Sequence, residues 1–277
     1  AIDVVVELIG GTTVARDLIL RAIELGKPVV TANKALLAEQ GAAIFRRARE
    51  RGVDLYFEAS VGGGIPIIRA LREGLIANRI ESLYAILNGT CNYILTRMES
   101  EAQKFDRVLK DAQAAGYAEA DPGLDIDGHD TAHKAQILAS LAYGCAVPMD
   151  RLHVEGIRNL AESDMENALA LGYRIKLLAV IHRREDEIEV RVHPTLVPLQ
   201  HLLASVSGVF NAILVNGDVV GPTLYYGRGA GRLPTASAVI GDLADVARNL
   251  ALGTPGRLPP LAEYAPEVRF RPVGDID

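Results

Sequence analysis

The sequence predicts an α/β protein in which a partial doubly wound parallel sheet is followed by an α+β domain with a mixed sheet. Two observations support this prediction. In residues 1–59, short runs of β-branched residues alternate with amphipathic helical segments, a pattern typical of a parallel sheet. From residue 173 onward, strand-like segments follow one another on short connections, which favours antiparallel or mixed pairing.

Three strands of the parallel sheet are predicted, at residues 2–8, 28–31 and 53–58. The first is rich in β-branched residues and is expected to be buried. A helix at residues 14–25, capped by Thr12 or Thr13 and ended by Gly26, precedes the second strand. A further helical stretch ends at Gly52, before the third strand.

A dinucleotide-binding domain begins with a strand, a G-x-G-x-x-G turn and a helix, and an acidic or basic residue about 20 positions later contacts the ribose. No such start precedes the first predicted strand. Either residues 1–59 are therefore the second half of such a domain, or their sheet serves another purpose.

A glycine-rich loop at residues 60–66 follows the third strand. Gly62, Gly63 and Gly64 permit backbone conformations that are closed to other residues, and Pro66 suits the first turn of a helix. Such a loop can turn its carbonyl groups onto a cation. A tight turn without a ligand is the commoner outcome, and both interpretations stay open.

The second part of the chain combines helices with strands of a mixed sheet. A strand at residues 80–87 leads through Asn88-Gly89-Thr90 into a helix, and a second helix ends at Gly116. A capping box at residues 163–166 begins a short helix that ends near Leu171. Further strands are predicted at residues 173–182, 188–193, 212–215 and 218–220, with Asn216-Gly217 as a hairpin turn.

The last predicted helix, at residues 235–252, follows the glycine-rich sequence Gly227-Arg228-Gly229-Ala230-Gly231. Alternating glycines before a helix can bind phosphate at the helix N-terminus, although the signal alone is weak. From Gly253 onward the sequence is rich in proline, and we expect a surface linker.

The most acidic stretch, residues 116–134, leads into an apolar helix. Asp127 is its expected N-cap, with Asp130 completing a loose capping box and Gly144 ending the helix. At about 100° per residue, Lys134 lies in the middle of an inward-facing stripe. Burial of an unpaired ammonium group costs on the order of several kcal/mol. Asp130, one turn earlier, is a suitable partner, so a structural ion pair and a functional lysine both fit the pattern.

Composition excludes several classes of function. The 277 residues, 49% of them hydrophobic, suffice for a sizeable core and two domains. A net charge of -6, without a basic run interleaved with aromatic residues, argues against nucleic-acid binding. No apolar run approaches the roughly 20 residues that cross a bilayer, so we expect no membrane partner. Cys91 and Cys145 are too few for a disulfide framework and fit a reducing cytoplasm.

Four motifs together resemble those of homoserine dehydrogenases. They are Thr31-Ala32-Asn33-Lys34 and the stretches at residues 58–66, 88–93 and 116–134. Their order and spacing also match, over nearly all of the chain. The resemblance implies reversible hydride transfer between L-homoserine and NAD or NADP. The product would be L-aspartate 4-semialdehyde, in the biosynthesis of threonine, methionine and isoleucine.

The same resemblance implies an architecture and partners. Residues 1–59 would be the C-terminal half of a Rossmann-type NAD(P)-binding domain, completed by a helix at about 232–252. Residues 60–231 would form the catalytic and dimerisation domain, and residues 253–277 a linker or tail. The expected protein is a cytoplasmic homodimer or higher homo-oligomer with a small-molecule substrate.

The resemblance also assigns individual residues to the site. Lys134 and Lys34 would be the catalytic lysines. The substrate would contact Glu119, Asp125, Asp130, Gly89, Thr90 and Tyr117. The cofactor would lie beside Gly11, Thr12, Thr13, Lys34 and Gly231. The backbone carbonyl groups of Glu58, Val61, Gly63 and Ile65 would bind a structural Na⁺.

Three alternatives compete with this interpretation. Cys91, at a predicted helix N-terminus, is the nucleophile that a thioester-forming semialdehyde dehydrogenase would use, although a small buried residue is the simpler explanation. His129 and His133 have metal-ligand spacing but lack the glutamate of H-E-x-x-H, which favours two exposed polar histidines. The non-enzymatic alternative is a catalytically silent, dimer-forming fragment.

Overall fold

The computed structural model describes residues 2–261, 268–271 and 274. These residues form a parallel sheet near the N-terminus and a larger mixed sheet, which confirms the predicted fold class. None of the helices in this described part is long and apolar enough to cross a membrane.

The parallel sheet contains β1 (Val5–Glu7), β2 (Val29–Thr31) and β3 (Leu55–Tyr56), in that spatial order. The helices α1 (Val14–Glu24) and α2 (Lys34–Arg51) connect these strands. Asn33 caps α2 by accepting a hydrogen bond from the backbone amide of Leu36 at 3.2 Å. Gly52, in the left-handed conformation, ends the helix as predicted.

The expectation of a buried first strand is wrong for most of its length. β1 pairs with β2 alone and lies at the edge of the sheet, so Ile2 and Leu8 are 69% and 58% exposed. Glu7 is buried instead. Its carboxylate accepts hydrogen bonds from the Thr31 hydroxyl at 2.6 Å and from the amide of Gly10 at 3.0 Å. A buried carboxylate therefore fixes the turn that follows β1.

The rest of the chain contains the remaining α-helices and strands. Its helices are α3 (Ile67–Arg69, continued by a π-helical turn over Ala70–Gly74), α4 (Gly89–Glu101), α5 (Phe105–Ala114), α6 (Gly123–Ile126), α7 (His129–Tyr143), α8 (Glu162–Ala170) and α9 (Arg232–Ala251). Its strands are β4 (Ile80–Ile86), β5 (His153–Val154), β6 (Tyr173–Arg184), β7 (Glu187–Pro198), β8 (Phe210–Gly217), β9 (Gly221–Arg228) and β10 (Arg269–Phe270). The last of these helices, α9, packs on the parallel sheet, with Val239 and Val246 in one cluster with Val30 and Tyr56.

The central strands of the mixed sheet are covered on both faces. Its strand order is β10-β7-β6-β4-β8-β9, and β5 also pairs with β7. One face packs on α4, α7 and α8 in the main hydrophobic core. The other face is covered by residues 202–206, where Leu203 and Val206 pack on Leu178 and Leu214. Burial on both faces explains the long apolar runs in β6 and β8.

The hairpin turn predicted at Asn216-Gly217 lies at residues 218–220 instead. Asn216 and Gly217 belong to β8 and pair with β9. Asp218 accepts a hydrogen bond from the backbone amide of Arg79 at 2.9 Å. The contact with the segment before β4 therefore overrides the local turn signal.

Several predicted details of helix N-termini are also wrong. Ser163 lies inside α8, and the Asp164 carboxylate accepts a hydrogen bond from the amide of Ala161 at 2.8 Å. Thr13 precedes α1 without a capping hydrogen bond from its side chain. α9 begins at Arg232, as the family resemblance implied but three residues before the start expected from the local sequence. Such starts depend on which nearby side chain reaches the free amides, which sequence spacing does not specify.

In the described part of the C-terminal segment, residues 253–259 are mostly exposed, as expected for a surface segment, but some contacts tie the segment to the body of the protein. The amide of Gly256 donates a hydrogen bond to the Asp54 carboxylate at 2.9 Å. Leu261 is 3% exposed, and β10 pairs with β7. The rest of the predicted linker lies outside the described residues.

A close backbone contact fixes the junction between α6 and α7. A Cβ atom added at Gly156 would lie 2.1 Å from the carbonyl oxygen of Ile126 and 2.4 Å from Cα of Asp127. The amide of the next residue, Ile157, donates a hydrogen bond to the same carbonyl at 2.8 Å. Only glycine fits at this position, which holds the acidic segment in place.

We expect Gly156→Ala to lower the free energy of unfolding by about 1–3 kcal/mol, because the added methyl group overlaps backbone atoms. Gly241→Ala is the matched control, since a Cβ atom there would meet no atom within 4 Å. In the middle of α9 the alanine should stabilise the protein, by about 0.5–1 kcal/mol. Urea unfolding measures the free energy of unfolding of both variants. A Gly156→Ala variant as stable as the unmodified protein would contradict the packing described.

Candidate active site

A cleft of about 620 Å³ lies where the end of β2, the loop after β3, the start of α4 and the acidic segment meet. It brings together most of the residues that the sequence predicted for the site. The predicted residues that line the cleft are Lys34, Gly63, Gly89, Thr90, Tyr117, Glu119, Asp125, Asp130, Lys134 and Gly231.

The Asp130 carboxylate lies at the centre of a charged network in this cleft and is 5% exposed. One of its oxygens is 2.6 Å from Nζ of Lys134, and the other is 3.3 Å from Nζ of Lys34. The side-chain amide of Asn88 donates hydrogen bonds to Asp130 at 2.9 Å and to Asp125 at 2.7 Å. A single buried carboxylate therefore holds two ammonium groups.

The local sequence explains how the lysines reach Asp130. Lys134 follows Asp130 by four residues on α7, so their side chains lie on the same face of the helix. Nζ of Lys134 also donates to the carbonyl oxygen of Leu87 at 2.8 Å. The Lys134 side chain is 12% exposed, which confirms that it points inward. Lys34 is the first residue of α2 and reaches the cleft from the parallel-sheet part.

The pKa of Asp130 reflects this environment. Burial raises its pKa, but the positive charges of Lys134 and Lys34 and the hydrogen bonds from Lys134 and Asn88 outweigh burial and lower the pKa to about 2. Asp130 is therefore ionised at neutral pH and neutralises part of the positive charge in the cleft.

The predicted cap of α7 is wrong, although the helix begins at His129, one residue after the expected start. Gly128, at φ 87°, occupies the N-cap position, and its lack of a side chain leaves the helix without a side-chain cap. Asp127 instead accepts two hydrogen bonds from Arg158, both at 2.8 Å. Asp130 binds the lysines and does not complete a capping box. Gly144 ends the helix as predicted.

Cys91 is poorly placed to act as a nucleophile. It is fully buried, and its thiol lies 3.2 Å from the carbonyl oxygen of Asp125. Burial, together with the charges of Asp125 and Asp130, raises the pKa of Cys91 well above its usual range. A thioester mechanism needs the thiolate, which this environment disfavours. The simpler interpretation as a small buried residue is confirmed.

His129 and His133 lie on α7 at the spacing of two metal ligands. Within residues 2–261, 268–271 and 274, no group of three or more His, Cys, Asp or Glu side chains is arranged to hold a metal ion. His129 is exposed as predicted, but His133 is partly buried. The prediction of two exposed histidines is therefore wrong for His133, because α7 packs against α2 on that side.

The residues predicted to lie beside the cofactor occupy two places. Lys34 and Gly231 line the cleft. Gly11, Thr12 and Thr13 form the turn between β1 and α1. The carbonyl oxygen of Gly11 accepts a hydrogen bond from the Asn33 side chain at 2.8 Å, and that of Thr12 accepts one from Gln40 at 3.2 Å. The turn is therefore tied to the first turns of α2, next to Lys34.

The glycine-rich loop predicted to bind sodium is tightly packed. A Cβ atom at Gly63, where φ is 58°, would lie 2.6 Å from the backbone of Gly229. The carbonyl oxygen of Glu58 accepts a hydrogen bond from the amide of Val61 at 3.4 Å, and that of Ile65 accepts one from Ile67 at 2.8 Å. The glycines thus have a structural reason that is independent of any ion.

Sequence reasoning assigned no role to Asn88, which the structure places between Asp125 and Asp130. Its amide nitrogen donates to both carboxylates, while its oxygen caps α4 by accepting a hydrogen bond from the amide of Cys91 at 2.8 Å. The sequence signals were its position between a strand and a helix and its place at the start of the motif at residues 88–93. Helix capping alone would explain an asparagine there, so its second role was hidden.

Two family models match the chain. They are described as "Homoserine dehydrogenase", over residues 66–244, and "Homoserine dehydrogenase, NAD binding domain", over residues 1–58. The chain belongs to the homoserine dehydrogenase family. The resemblance seen in the four sequence motifs is confirmed.

Homoserine dehydrogenases from two bacteria illustrate how similar the family members are. Those of Pseudomonas aeruginosa and Neisseria gonorrhoeae are 55% and 53% identical to this chain over 276 residues, which is 100% of this chain. The matched region is 64% and 63% of the two relatives. The chain thus spans less than two thirds of their length.

Solved structures of homoserine dehydrogenases share the fold. The crystal structure of a homoserine dehydrogenase from Thiobacillus denitrificans matches with a TM-score of 0.94 and 54% identity, over 98% of this chain and 64% of that one. A hyperthermophilic archaeal homoserine dehydrogenase in complex with NADPH matches with a TM-score of 0.79 and 30% identity, over 89% of this chain and 72% of that one.

The shifted pKa of Asp130 predicts a pH-dependent stability. Its pKa is about 2 in the folded protein against an ordinary value of 3.8, so the ionised carboxylate stabilises the fold above pH 3.8 and this contribution is lost as the pH falls through 2. Asp130→Asn should lower the free energy of unfolding by about 2 kcal/mol near neutral pH. Near pH 3 the difference in free energy of unfolding between the unmodified protein and this variant should be about 1 kcal/mol smaller.

Urea unfolding at several pH values measures this difference, with Asp150→Asn as a control at an exposed position. The control should show no comparable pH-dependent change. A difference between Asp130→Asn and the unmodified protein that stays constant with pH would contradict the ion-pair network.

Proposed function

We propose that this chain carries the catalytic site of a homoserine dehydrogenase, which transfers a hydride reversibly between L-homoserine and NAD or NADP. The observation that supports this most strongly is the arrangement of Lys134 and Lys34 around Asp130. The three charged groups lie in a cleft beside the NAD-binding domain, where a proton must be moved during alcohol oxidation.

Oxidation of a primary alcohol removes a hydride from carbon and a proton from oxygen. A nicotinamide cofactor, when bound, would supply the acceptor for this hydride. Lys134 is the proposed proton-transfer group: its amine accepts the hydroxyl proton during oxidation, and its ammonium returns it to oxygen during aldehyde reduction. Lys34 places a second positive charge nearby, which stabilises negative charge developing on the substrate oxygen. Asp130 holds both groups in position.

The proposed substrate contacts match the charges of an amino acid. The ammonium group of homoserine needs carboxylates, and Asp125 and Glu119 line the cleft. Asn88 orients Asp125. The Thr90 hydroxyl donates a hydrogen bond to the carbonyl oxygen of Tyr117 at 2.6 Å, which ties the segment of Glu119 to the start of α4.

The proposed cofactor site joins the end of β2 to the start of α9. Gly231 directly precedes α9, and Lys34 lies three residues after the end of β2 at Thr31. The free amides at the start of α9 favour an anionic group. The family match to an NAD-binding domain supports this location, and the archaeal relative bound to NADPH supports a nicotinamide cofactor.

A sodium ion remains a proposal for the loop after β3. The proposed ligands are the carbonyl oxygens of Glu58, Val61, Gly63 and Ile65, and hard oxygen ligands suit such a cation. Glu58 and Ile65 already accept hydrogen bonds. Each carbonyl oxygen has two lone pairs, so these bonds leave room for a cation.

We also propose that the protein is cytoplasmic and forms a homodimer or a higher homo-oligomer. β9 is the edge strand of the mixed sheet, and its outward-facing Leu224 and Tyr226 are 39% and 56% exposed. An edge strand with exposed apolar side chains favours pairing with another chain. The two cysteines are free and buried, as expected in a reducing compartment.

Lys134→Ala should lower kcat for homoserine oxidation by about 10²- to 10⁴-fold, because the general acid-base group is lost. Binding of NADH or NADPH should persist. Lys110→Ala, at an exposed position on α5, is the matched control and should leave turnover unchanged. NAD(P)H absorbance with L-homoserine as substrate measures turnover. Normal turnover by Lys134→Ala would refute the assignment.

A further inference from the structure

Lys176 is a buried lysine in β6 that the proposed reaction does not use. It is 2% exposed, and its Nζ lies 2.5 Å from the carbonyl oxygen of Val206 and 3.2 Å from Oδ1 of Asn92. Both partners are neutral, and the nearby Glu99 is paired with Arg174 at 2.7 Å. An ammonium group buried among neutral oxygens is costly, which indicates a role that an apolar side chain would not fill.

The pKa of Lys176 shows this cost. Burial lowers the pKa to about 8, with the charge of Arg174 adding to the effect and that of Glu99 opposing it. Lys176 is therefore mostly protonated at neutral pH and acts there as a hydrogen-bond donor.

The ammonium group of Lys176 determines the orientation of Asn92. An ammonium group can only donate hydrogen bonds, so the amide oxygen of Asn92 must face it. The amide nitrogen of Asn92 then faces the carbonyl oxygens of Val206, Gly208 and Phe210, at 3.3, 3.0 and 3.1 Å. Lys176 and Asn92 together thus hold a five-residue segment through its backbone, independently of the side chains in that segment.

This segment, residues 206–210, forms part of the cleft wall. Val209 lines the cleft. Its carbonyl oxygen would lie 2.8 Å from a Cβ atom added at Gly89, so the two backbones are in close contact. The amide of Gly208 donates a hydrogen bond to the Thr96 hydroxyl at 3.1 Å, which ties the segment to α4. The position of the segment therefore sets the width of the cleft beside Gly89.

We propose that Lys176 and Asn92 are positioning residues that hold residues 206–210 against Gly89 and thereby set the wall of the substrate cleft at Val209. Neither side chain lines the cleft, so both act through the segment. The inference rests on the proposed function, because it assigns this wall to the homoserine site.

Lys176→Met tests the proposal, because methionine fills the same buried space without donating a hydrogen bond. Exchange of the Gly208 amide hydrogen should become about tenfold faster or more, and the Kd for L-homoserine should rise by about tenfold, as expected for a lost hydrogen bond to a charged group. Hydrogen exchange by mass spectrometry and homoserine titration of the full chain, with cofactor present, provide the two measurements.

Leu177→Ala is the matched control. Leu177 is the next residue of β6, is 4% exposed and packs in the main core on the other face of the sheet. This variant should lose stability without either local change. Unchanged exchange at Gly208 in Lys176→Met, an unchanged Kd, or equal changes in Leu177→Ala would each overturn the proposal.

The same two measurements distinguish a failure of the proposed function from a failure of this inference. If the unmodified protein does not bind L-homoserine, the function is contradicted and the substrate part of this inference falls with it. The exchange rate at Gly208 still decides whether Lys176 holds the segment.

Discussion

One carboxylate, Asp130, neutralises charge on two lysines that come from different parts of the fold. Lys34 begins α2 of the parallel-sheet part, whereas Lys134 belongs to α7 of the second part. Burying an ammonium group costs on the order of several kcal/mol unless a partner of opposite charge is close. Asp130 therefore links the two parts and creates the polar centre of the cleft at the same time.

The surrounding backbone brings the charged groups together by close packing at glycine. Gly63, after β3, lies against the backbone of Gly229, before α9, at a distance that no Cβ atom would permit. Gly89, at the start of α4, lies equally close to the carbonyl oxygen of Val209. These contacts bring the loop after β3, the start of α4 and the start of α9 to one cleft. Gly63 and Gly89, which both belong to recognised motifs, thus have a packing role in addition to any contact with ligands.

Sequence reasoning succeeded where the determining contact is local. The inward direction of Lys134 follows from helical periodicity, and its partner Asp130 is one turn away. The ends of α2 and α7 follow from glycines in the left-handed conformation. In each case the deciding residue lies within one turn of the feature it controls.

Sequence reasoning could not predict contacts between segments that are distant along the chain. The ion pair of Asp130 with Lys34, the bridge from Asn88 and the pairing of β10 with β7 all join residues far apart in sequence. The hairpin turn lies at residues 218–220 and not at the predicted position for the same reason, because Asp218 accepts a hydrogen bond from Arg79, in the segment before β4. Apolar composition alone also could not show that β1 lies at a sheet edge. The motif resemblance supplied what physical reasoning from the sequence lacked, since it named distant residues that the structure then brings together in one cleft.

The central claim is that Asp130 and Lys134 are energetically coupled in the cleft. A double-mutant cycle of Asp130→Asn and Lys134→Met, measured by urea unfolding near neutral pH, tests it most directly and does not depend on activity. The structure predicts a coupling free energy of about 1 kcal/mol or more, because each partner removes the cost of burying the other. Effects that add to within about 0.5 kcal/mol would contradict the claim.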